Sequence, residues 1–318
     1  MKKKLLTFIK IVGTAFIVYW IITSVDWGQA WGYVTSLPMS VLMLTVIAML
    51  AGWVISAIKW RQLLLIHKYT FSLVDLTRWY SIAFFLSQFL PSAIGGDAYR
   101  IYKTFGDNRD HKAISFLSVF IERVTGFAAL LIMGGCVAIY LWLFQGDELS
   151  RYFLIILVPS GIFGLLSLWF IYRFNLSEKI LRHKRCPKVV VYLVKHSGAY
   201  KYNIRKSTVV ILLSFLFHGL MIFAQTLLIY SLTGRVMIME VTIVLSLTTF
   251  LSMLPISIGG YGLVDGSFML IMSRYYGLDE SMGIVVALLI RLMALPISFI
   301  GGAFYLLEGK PKVPEGAL

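Results

Sequence analysis

Leu90-Pro91-Ser92-Ala93-Ile94-Gly95-Gly96-Asp97-Ala98-Tyr99-Arg100 interrupts an apolar part of the chain. The same Leu-Pro-x-x-Ile-Gly-Gly pattern returns at residues 254–260, where Tyr261 and Gly262 follow it. Proline removes a backbone donor from a helix, and paired glycines allow close backbone approaches. Loose backbone groups are costly in lipid, so such breaks belong where protein or a water-filled cavity satisfies them. Two matching breaks, one in each half of a chain, are typical of a transporter binding site.

The composition indicates an integral membrane protein. Of the 318 residues, 59% are hydrophobic and 14% are charged, and the mean hydropathy is +0.83. A net charge of +14 would indicate a nucleic-acid partner in a soluble protein. Here the basic residues lie between apolar stretches, so a membrane surface explains them and no nucleic-acid partner is expected. Cys136 and Cys186 have no metal-ligand spacing, and the sequence predicts no cofactor and no metal.

The apolar stretches predict an all-α integral membrane protein with about six full transmembrane helices and two broken re-entrant hairpins. A helix needs roughly 20 residues to cross the bilayer core. The predicted spans are Leu5–Val25, Leu37–Ile58, Ala113–Phe144, Tyr152–Tyr172, Ser207–Leu232 and Ser281–Leu307. The broken regions Trp79–Gly96 and Val241–Ser273 belong to hairpins at 79–105 and 240–273. The arms of the first hairpin, Trp79–Leu90 and Gly96–Phe105, are about 18 and 15 Å long and reach halfway across the bilayer.

Lysine and arginine residues predict the orientation. If the N-terminus is cytoplasmic and the first hairpin re-enters, the cytoplasmic segments hold 24 of the 29 lysine and arginine residues. These segments are 2–10, 59–78, 100–112, 173–206 and 308–318. If the first broken region crossed the membrane instead, the ten basic residues of 173–206 would lie outside. We therefore expect cytoplasmic N- and C-termini, while the second broken region either re-enters or crosses, because few charges follow it.

The two halves of this single membrane domain match each other. Residues 1–144 and residues 151–310 each contain two spans, a hairpin and a final span. In each final span an arginine precedes a Gly-Gly pair by 10 or 11 residues, as Arg123 precedes Gly134-Gly135 and Arg291 precedes Gly301-Gly302. The matching motifs are 164 to 168 positions apart. The chain is therefore interpreted as an inverted-topology repeat, which in known transporters places the substrate near the midplane at the repeat interface.

The segment 174–206 differs from the rest in character. It is basic and rich in tyrosine, with Pro187 in its middle. Two interpretations are open: interfacial helices that contact anionic headgroups on the cytoplasmic face, or a solvated loop that only sets the topology.

Two arginines are predicted near mid-depth. Arg123 lies about 16 Å and Arg291 about 15 Å into its span. Arginine at such depth costs from about 2.5 to over about 10 kcal/mol unless it is paired or hydrated. Its planar fork suits phosphate, so one interpretation is a pair of phosphate-binding arginines in a central cavity. The other is structural, with each arginine bound to hairpin carbonyls or to an acidic partner such as Glu122, Asp97 or Asp265.

Acidic and basic residues near the first break complete that half of the candidate site. Asp97 follows Gly95-Gly96 where the second hairpin arm begins, so it is either a helix N-cap or a salt-bridge partner of an arginine that a lipid phosphate displaces. Glu122 is adjacent to Arg123 and does not share its helix face, so it is expected to pair with a neighbouring segment. Arg100 and Lys103, one turn apart on the second hairpin arm, either guide an anionic headgroup in from the cytoplasm or belong to the positive-inside signal.

The second hairpin has Tyr261 at the position equivalent to Asp97, and Asp265 lies one turn later as its substitute. Helix N-termini after the glycine pairs offer free backbone N–H groups to an anion. The predicted substrate-binding set is Arg123, Arg291, Asp97, Arg100, Glu122, Asp265, Gly95, Gly96, Gly259, Gly260 and Tyr261.

Catalytic motifs are scarce. The sequence has no Gly-x-Ser-x-Gly, no His-Glu-x-x-His and no phosphate loop with Gly-Lys-Ser. Ser56-Ala57-Ile58-Lys59 fits Ser-x-x-Lys, but it lies at the end of a predicted span, where such matches arise by chance. No catalytic residue is predicted, although acids and arginines near a lipid phosphate also suit an intramembrane enzyme.

The combination of motifs resembles a known family. Leu-Pro-Ser-Ala-Ile-Gly-Gly-Asp-Ala-Tyr-Arg, Glu122-Arg123-x-x-Gly126 and Pro255-x-x-Ile-Gly-Gly-Tyr-Gly are similar to motifs of the lysylphosphatidylglycerol synthase transmembrane domains, also called flippase-like domains. The resemblance covers nearly the whole chain. In the bacterial multiple peptide resistance factor, such a domain moves aminoacylated phosphatidylglycerol between leaflets, and a separate soluble domain makes that lipid. The sequence stops at Leu318 without such a domain, so lysyltransferase activity is not expected.

The resemblance implies a passive or ion-coupled lipid translocase, flippase-like or scramblase-like, in the bacterial cytoplasmic membrane. Its cargo is a phospholipid, an aminoacyl-phosphatidylglycerol or a lipid linked to polyisoprenyl phosphate, because a fold alone does not fix the cargo. The alternatives are an intramembrane enzyme acting on lipid phosphates and a membrane partner of a separate phosphatidylglycerol lysyltransferase. Membrane lipids are the expected partners, with a soluble lipid-modifying enzyme and a second copy of the chain as further candidates.

Overall fold

Helices occupy the predicted apolar stretches, because in lipid the backbone must satisfy its own hydrogen bonds. A computed structural model describes residues 19–23, 25–89, 94–105, 109–173, 199, 203–253 and 260–308. These residues contain helices and connecting turns but no strand. In chain order the helices are α1 (Trp27–Ser36), α2 (Met39–Ile66), α3 (Leu73–Phe89), α4 (Ile94–Phe105), α5 (Arg109–Gln145), α6 (Glu148–Arg173), α7 (Ile204–Thr233), α8 (Ile238–Met253), α9 (Leu263–Tyr276), α10 (Glu280–Met293) and α11 (Leu295–Glu308).

Four stretches of the described chain are long and apolar enough to cross a membrane: Met39–Ile66, Ile114–Gln145, Ile204–Thr233 and Glu280–Glu308. The predicted class, an all-α membrane protein, is confirmed. The total of six spans and the inverted repeat stay predictions. Most of the predicted first span lies outside the described residues, which begin at Tyr19.

The first hairpin arm is longer than the sequence predicted. Helix α3 begins at Leu73 rather than Trp79 because Ser72 caps it. The Asp75 N–H donates to Ser72 Oγ at 3.0 Å, and the Ser72 hydroxyl donates to Asp75 Oδ2 at 2.5 Å. Charged residues such as Asp75 and Arg78 end an apolar stretch without ending a helix. The arm of 17 residues is therefore about 25 Å long.

The predicted last span, Ser281–Leu307, is interrupted. Helix α10 ends at Met293 and α11 begins at Leu295, with a turn at Ala294 between them. Pro296 has no N–H and cannot continue the ladder of backbone hydrogen bonds. The Ala294 N–H turns back instead to the carbonyl of Arg291 at 3.1 Å. The candidate arginine Arg291 therefore lies in the last turn before a break.

Each final span contacts the hairpin of the other half. Helix α11 packs on α3, α5 packs on α8, and α2 lies along α7 between them. Glycines allow the close approaches. A Cβ on Gly301 would lie 2.1 Å from the backbone oxygen of Ser81, and a Cβ on Gly134 would lie 2.6 Å from Ser246 Oγ. The Gly-Gly pairs found in the sequence are thus packing sites between the two halves.

The Leu-Pro breaks at 90–93 and 254–259 lie outside the described residues, but the helices on both sides of each are described. Helix α3 packs on α4, and α8 packs on α9. A Cβ on Gly96 would lie 2.2 Å from the Ala83 oxygen, which shows how closely the arms of the first hairpin approach. The basic segment 174–206 is described only at 199 and 203–206, so both interpretations of it stay open.

We expect Gly301→Ala to lower the free energy of unfolding by about 1–3 kcal/mol through overpacking. The added methyl would meet backbone, not a movable side chain, because Ser81 O lies at 2.1 Å. Gly219→Ala is the matched control, since a Cβ there meets nothing within 4 Å. Thermal unfolding in detergent compares the two variants. A Gly301→Ala protein that is as stable as the Gly219→Ala protein would contradict the close approach of α11 to α3.

Candidate functional site

An arginine–aspartate pair joins the second arm of each hairpin to the helix that follows it. Arg123 of α5 donates to Asp97 of α4 twice, from Nε to Oδ2 at 3.2 Å and from a terminal nitrogen to Oδ1 at 3.1 Å. Arg291 of α10 donates to Asp265 of α9. In each pair, the arginine and the aspartate are 26 positions apart in the sequence. Asp265, not Tyr261, is therefore the counterpart of Asp97, and both arginines have the acidic partner of the structural interpretation.

The two pairs differ in exposure. The side chain of Arg123 is 54% exposed, whereas that of Arg291 is 23% exposed and its partner Asp265 only 6%. Among the described residues, Arg123 has Asp97 as its hydrogen-bond partner. One side of its guanidinium is therefore available to a second anion.

Arg291 is enclosed by the tip of its own hairpin. It donates to the Gly260 carbonyl at 2.9 Å, and its guanidinium lies 4.3 Å from the centre of the Tyr261 ring. Gly260 has φ +76°, a backbone conformation that favours glycine and turns its carbonyl towards the arginine. The donors of Arg291 are thus committed to the hairpin, as the structural interpretation of this arginine expects.

Arg100 is completely enclosed rather than exposed at the cytoplasmic surface. It is 1% exposed, and its guanidinium lies over the rings of both Trp60 and Tyr80, 4.2 Å from each centre. It forms an ion pair with Glu122, and the Tyr80 hydroxyl donates to the same carboxylate at 3.0 Å. A role in guiding headgroups from the cytoplasm is not compatible with this burial. Such a stacked, charge-paired guanidinium is one that lysine could not replace.

Asp97 connects the buried pair to the exposed arginine. Its Oδ1 lies 3.4 Å from a terminal nitrogen of Arg100 and 3.1 Å from one of Arg123. Glu122 and Arg123 are neighbours in sequence and point to different partners, as adjacent positions on a helix must. The carboxylate of Asp97 therefore keeps a cationic partner even when Arg123 binds another anion.

Two further polar residues lie in the same region but are not part of the predicted binding set. Lys59 of α2 is buried, and its Nζ donates to the backbone oxygen of Glu122 at 3.3 Å. His218 of α7 is also buried, with Nε2 2.9 Å from the Gly126 oxygen. Because Lys59 ends an apolar stretch, the sequence places it at the cytoplasmic surface. The feature of the sequence that points to its burial is its position directly before Trp60 on a long helix.

The tips of the two hairpins meet. The Tyr261 hydroxyl donates to Gln88 Oε1 at 2.8 Å, which joins the turn before α9 to the last turn of α3. Gly95 and Gly96 lie in the first turn of α4, and Gly260 and Tyr261 in the turn before α9, while Gly259 lies outside the described residues. The structure therefore brings the described candidates Arg123, Asp97, Arg100 and Glu122 into one cluster, and Arg291, Asp265, Gly260 and Tyr261 into a second.

The chemistry of the first cluster suits an anion. Arg100 and Arg123 carry two positive charges beside the carboxylates of Asp97 and Glu122, and the buried amine of Lys59 lies next to them. No group of three histidine, cysteine, aspartate or glutamate residues that could hold a metal ion occurs among the residues described. The half-exposed fork of Arg123 matches the bidentate geometry of phosphate.

Comparison with protein-family models found one match over nearly the whole chain. The model described as "Lysylphosphatidylglycerol synthase TM region" matches residues 7–302. Comparison with curated proteins and comparison with solved structures each found no match. The family match confirms the resemblance drawn from the two Leu-Pro breaks and from Glu122-Arg123.

Proposed function

The chain belongs to the lysylphosphatidylglycerol synthase TM region family, a membrane domain related to lipid handling, and from this we propose that it is a lipid translocase. It moves a lipid with a phosphate in its headgroup between the leaflets of the bacterial cytoplasmic membrane. The observation that supports this most is the Arg123–Asp97 pair, in which a mid-helix arginine remains 54% exposed. An arginine without an anionic partner costs several kcal/mol in lipid. We therefore infer that the exposed part of the Arg123 guanidinium binds an anion.

The headgroup phosphate replaces the Asp97 carboxylate as the hydrogen-bond partner of the Arg123 guanidinium. Asp97 retains its contact to Arg100 at 3.4 Å, so neither the carboxylate nor the guanidinium becomes an isolated charge. The two guanidinium groups balance the two carboxylates, and the amine of Lys59 is a further hydrogen-bond donor close to them. The lipid tails stay in the bilayer while the headgroup passes between the hairpin and α5. The cycle is passive or coupled to an ion.

The two arginines have different roles in this proposal. Arg123 binds the headgroup because its fork is accessible. Arg291 instead holds the second hairpin in place, through Asp265, the Gly260 carbonyl at 2.9 Å and the ring of Tyr261. Substitution of Arg291 is therefore expected to change the position of the hairpin tip, including its contact to Gln88, rather than to remove a ligand of the phosphate.

An inverted-topology repeat is the arrangement we propose for the chain. Asp97 and Asp265 are 168 positions apart, and so are Arg123 and Arg291. The two glycine contacts between halves support the same relation, since Gly301 meets α3 while Gly134 meets α8. Both hairpins then re-enter the membrane from opposite sides and meet at their tips. This is the arrangement in which known transporters hold substrate near the midplane.

The orientation we propose has both termini in the cytoplasm. It rests on the lysine and arginine distribution, with 24 of 29 such residues in the five cytoplasmic segments, and the majority remains when the buried Lys59 and Arg100 are left out. The open end of the first hairpin then faces the cytoplasm.

Lipid movement in liposomes tests the function. Purified protein is reconstituted with fluorescent phosphatidylglycerol, its lysylated form or a polyprenyl phosphate, and the transfer of each between leaflets is timed against protein-free liposomes. We expect accelerated transfer of at least one of these phosphate-containing lipids. If the lipid is converted to a new product by the protein alone, the intramembrane enzyme is favoured and the translocase is contradicted.

A further inference from the structure

A second cluster of cationic and hydroxyl donors surrounds the last residue of α11. The Glu308 carboxylate accepts a hydrogen bond from the Tyr99 hydroxyl at 2.6 Å. Its oxygens lie 2.7 Å from Lys103 Nζ and 2.9 Å from Arg78 Nε. All three donors belong to the open end of the first hairpin, Arg78 on α3 and the others on α4. A guanidinium, an ammonium and a hydroxyl group thus converge on one carboxylate.

This donor set is better suited to phosphate than to a single carboxylate. Arg78 and Lys103 bring two positive charges, and Glu308 neutralises only one of them. A phosphate has more acceptor oxygens than a carboxylate and can be reached from three directions at once. The side chains of Arg78 and Lys103 are 34% and 26% exposed, so a headgroup at the membrane surface can reach them.

The cluster is separate from the site at Arg123. At about 100° per residue, the pair Asp97 and Arg100 and the pair Tyr99 and Lys103 point in directions about 110° apart around α4, so they face different neighbours. The contacts agree, because the first two face Arg123 and Glu122 and the last two face Glu308. A substitution at Glu308 therefore leaves the partners of Arg123 in place.

We propose that Arg78, Tyr99 and Lys103 form a second anion site, which takes the phosphate of a lipid headgroup at the membrane surface, and that Glu308 occupies this site as an internal competitor. The ligand class rests on the proposed function, but the site is independent of Arg123. A phosphate-bearing lipid that displaces Glu308 releases the end of α11 from the first hairpin. The site thus receives a headgroup at the open end of the hairpin before it reaches Arg123.

Binding by purified protein in phosphatidylcholine nanodiscs tests this site. Short-chain phosphatidylglycerol, glycerol 3-phosphate and inorganic phosphate are titrated separately into wild-type protein and into the Glu308→Gln variant. We expect the Glu308→Gln protein to bind phosphatidylglycerol about tenfold more tightly than wild type. This is the gain expected if Glu308 leaves the anion site open in about one tenth of the wild-type molecules. A similar gain for glycerol 3-phosphate or inorganic phosphate would assign the site to soluble phosphate rather than to a lipid and would overturn the lipid part of the proposal.

Matched variants separate the anion site from a purely structural contact. Glu280→Gln removes an exposed negative charge from the first turn of α10 and is expected to leave binding unchanged. Lys103→Gln, in the wild-type and in the Glu308→Gln protein, removes one ligand and is expected to weaken phosphatidylglycerol binding in both. Unchanged affinity in Glu308→Gln, or equal affinity with and without Lys103, would overturn the site. If Glu308→Gln does not fold, the Lys103→Gln comparison in the wild-type background decides.

Failure of this proposal is distinguishable from failure of the translocase. Arg123→Gln protein should retain the gain in affinity from Glu308→Gln, because Arg123 pairs with Asp97 and not with the residues around Glu308. A gain in binding without any lipid transfer by wild-type protein would leave the anion site standing and contradict the transport function. Lipid transfer by wild-type protein, together with unchanged phosphatidylglycerol binding in the Glu308→Gln protein, would support the transport function and contradict the anion site.

Discussion

Arg123→Gln lowers the rate of lipid transfer about 10- to 100-fold and leaves the protein folded. The guanidinium makes charge-assisted hydrogen bonds to the headgroup phosphate, worth about 1.5–3 kcal/mol, and each 1.4 kcal/mol is about tenfold in rate or affinity. The effect on stability is small, below about 1 kcal/mol, because the arginine is 54% exposed and Asp97 keeps Arg100 as a partner. Transfer in liposomes and thermal unfolding in detergent measure the two effects.

Two variants sharpen this comparison. Arg123→Lys keeps the charge but not the planar fork, so transfer should be intermediate between wild type and Arg123→Gln. Arg235→Gln removes an exposed arginine from the loop between α7 and α8, and should transfer lipid at the wild-type rate. Wild-type transfer by the Arg123→Gln protein would show that the phosphate binds elsewhere.

Arg100→Met lowers the free energy of unfolding by about 3–5 kcal/mol, the usual loss when one partner of a buried ion pair is removed. Arg100 is 1% exposed and its guanidinium lies over Trp60 and Tyr80, so water cannot take its place beside Glu122. Denaturant unfolding in detergent measures the change. Lys59 stays near Glu122 but bonds its backbone oxygen, not its carboxylate, and does not replace the lost pair.

The double variant Arg100→Met, Glu122→Leu should recover most of that stability, because it removes both charges and leaves apolar side chains. The second half of the chain supports this expectation. The residues 168 positions further on are Phe268 and Ile290, an apolar pair at the corresponding positions of α9 and α10. If the double variant were as unstable as Arg100→Met alone, the loss would come from packing around Trp60 and Tyr80 rather than from the unpaired charge.

The sequence predicted the helices and the hairpins because proline, paired glycine and apolar length act locally. Both Leu-Pro breaks separate helices that pack on each other, and the chain is a membrane protein of the predicted family. Local patterns also gave the two arginines and their acidic neighbours. Two details differ from the prediction for local reasons as well: Ser72 starts α3 six residues early, and a turn at Ala294, before Pro296, interrupts the helix of the last span.

The partners of the charged residues could not be predicted, because they are far apart in sequence. The positive-inside count places Arg100 in the cytoplasmic segment 100–112. Its burial depends on Glu122 and on Trp60, which are 22 and 40 positions away. The same holds for Tyr99 and Glu308, which are 209 positions apart, and for Gln88 and Tyr261, which are 173 apart. The contacts of Arg100 follow from how helices of the first half pack on one another, and the other two follow from how the two halves pack; no local sequence pattern predicts either.

The rate at which fluorescent phosphatidylglycerol crosses the bilayer of sealed liposomes is the most direct measurement of the proposed function. Liposomes with purified wild-type protein should lose inner-leaflet lipid to the outer leaflet in proportion to the amount of protein, and the Arg123→Gln protein should approach the rate of protein-free liposomes. Equal rates for folded wild-type protein, Arg123→Gln protein and empty liposomes, repeated with the lysylated lipid and with polyprenyl phosphate, would contradict a lipid translocase.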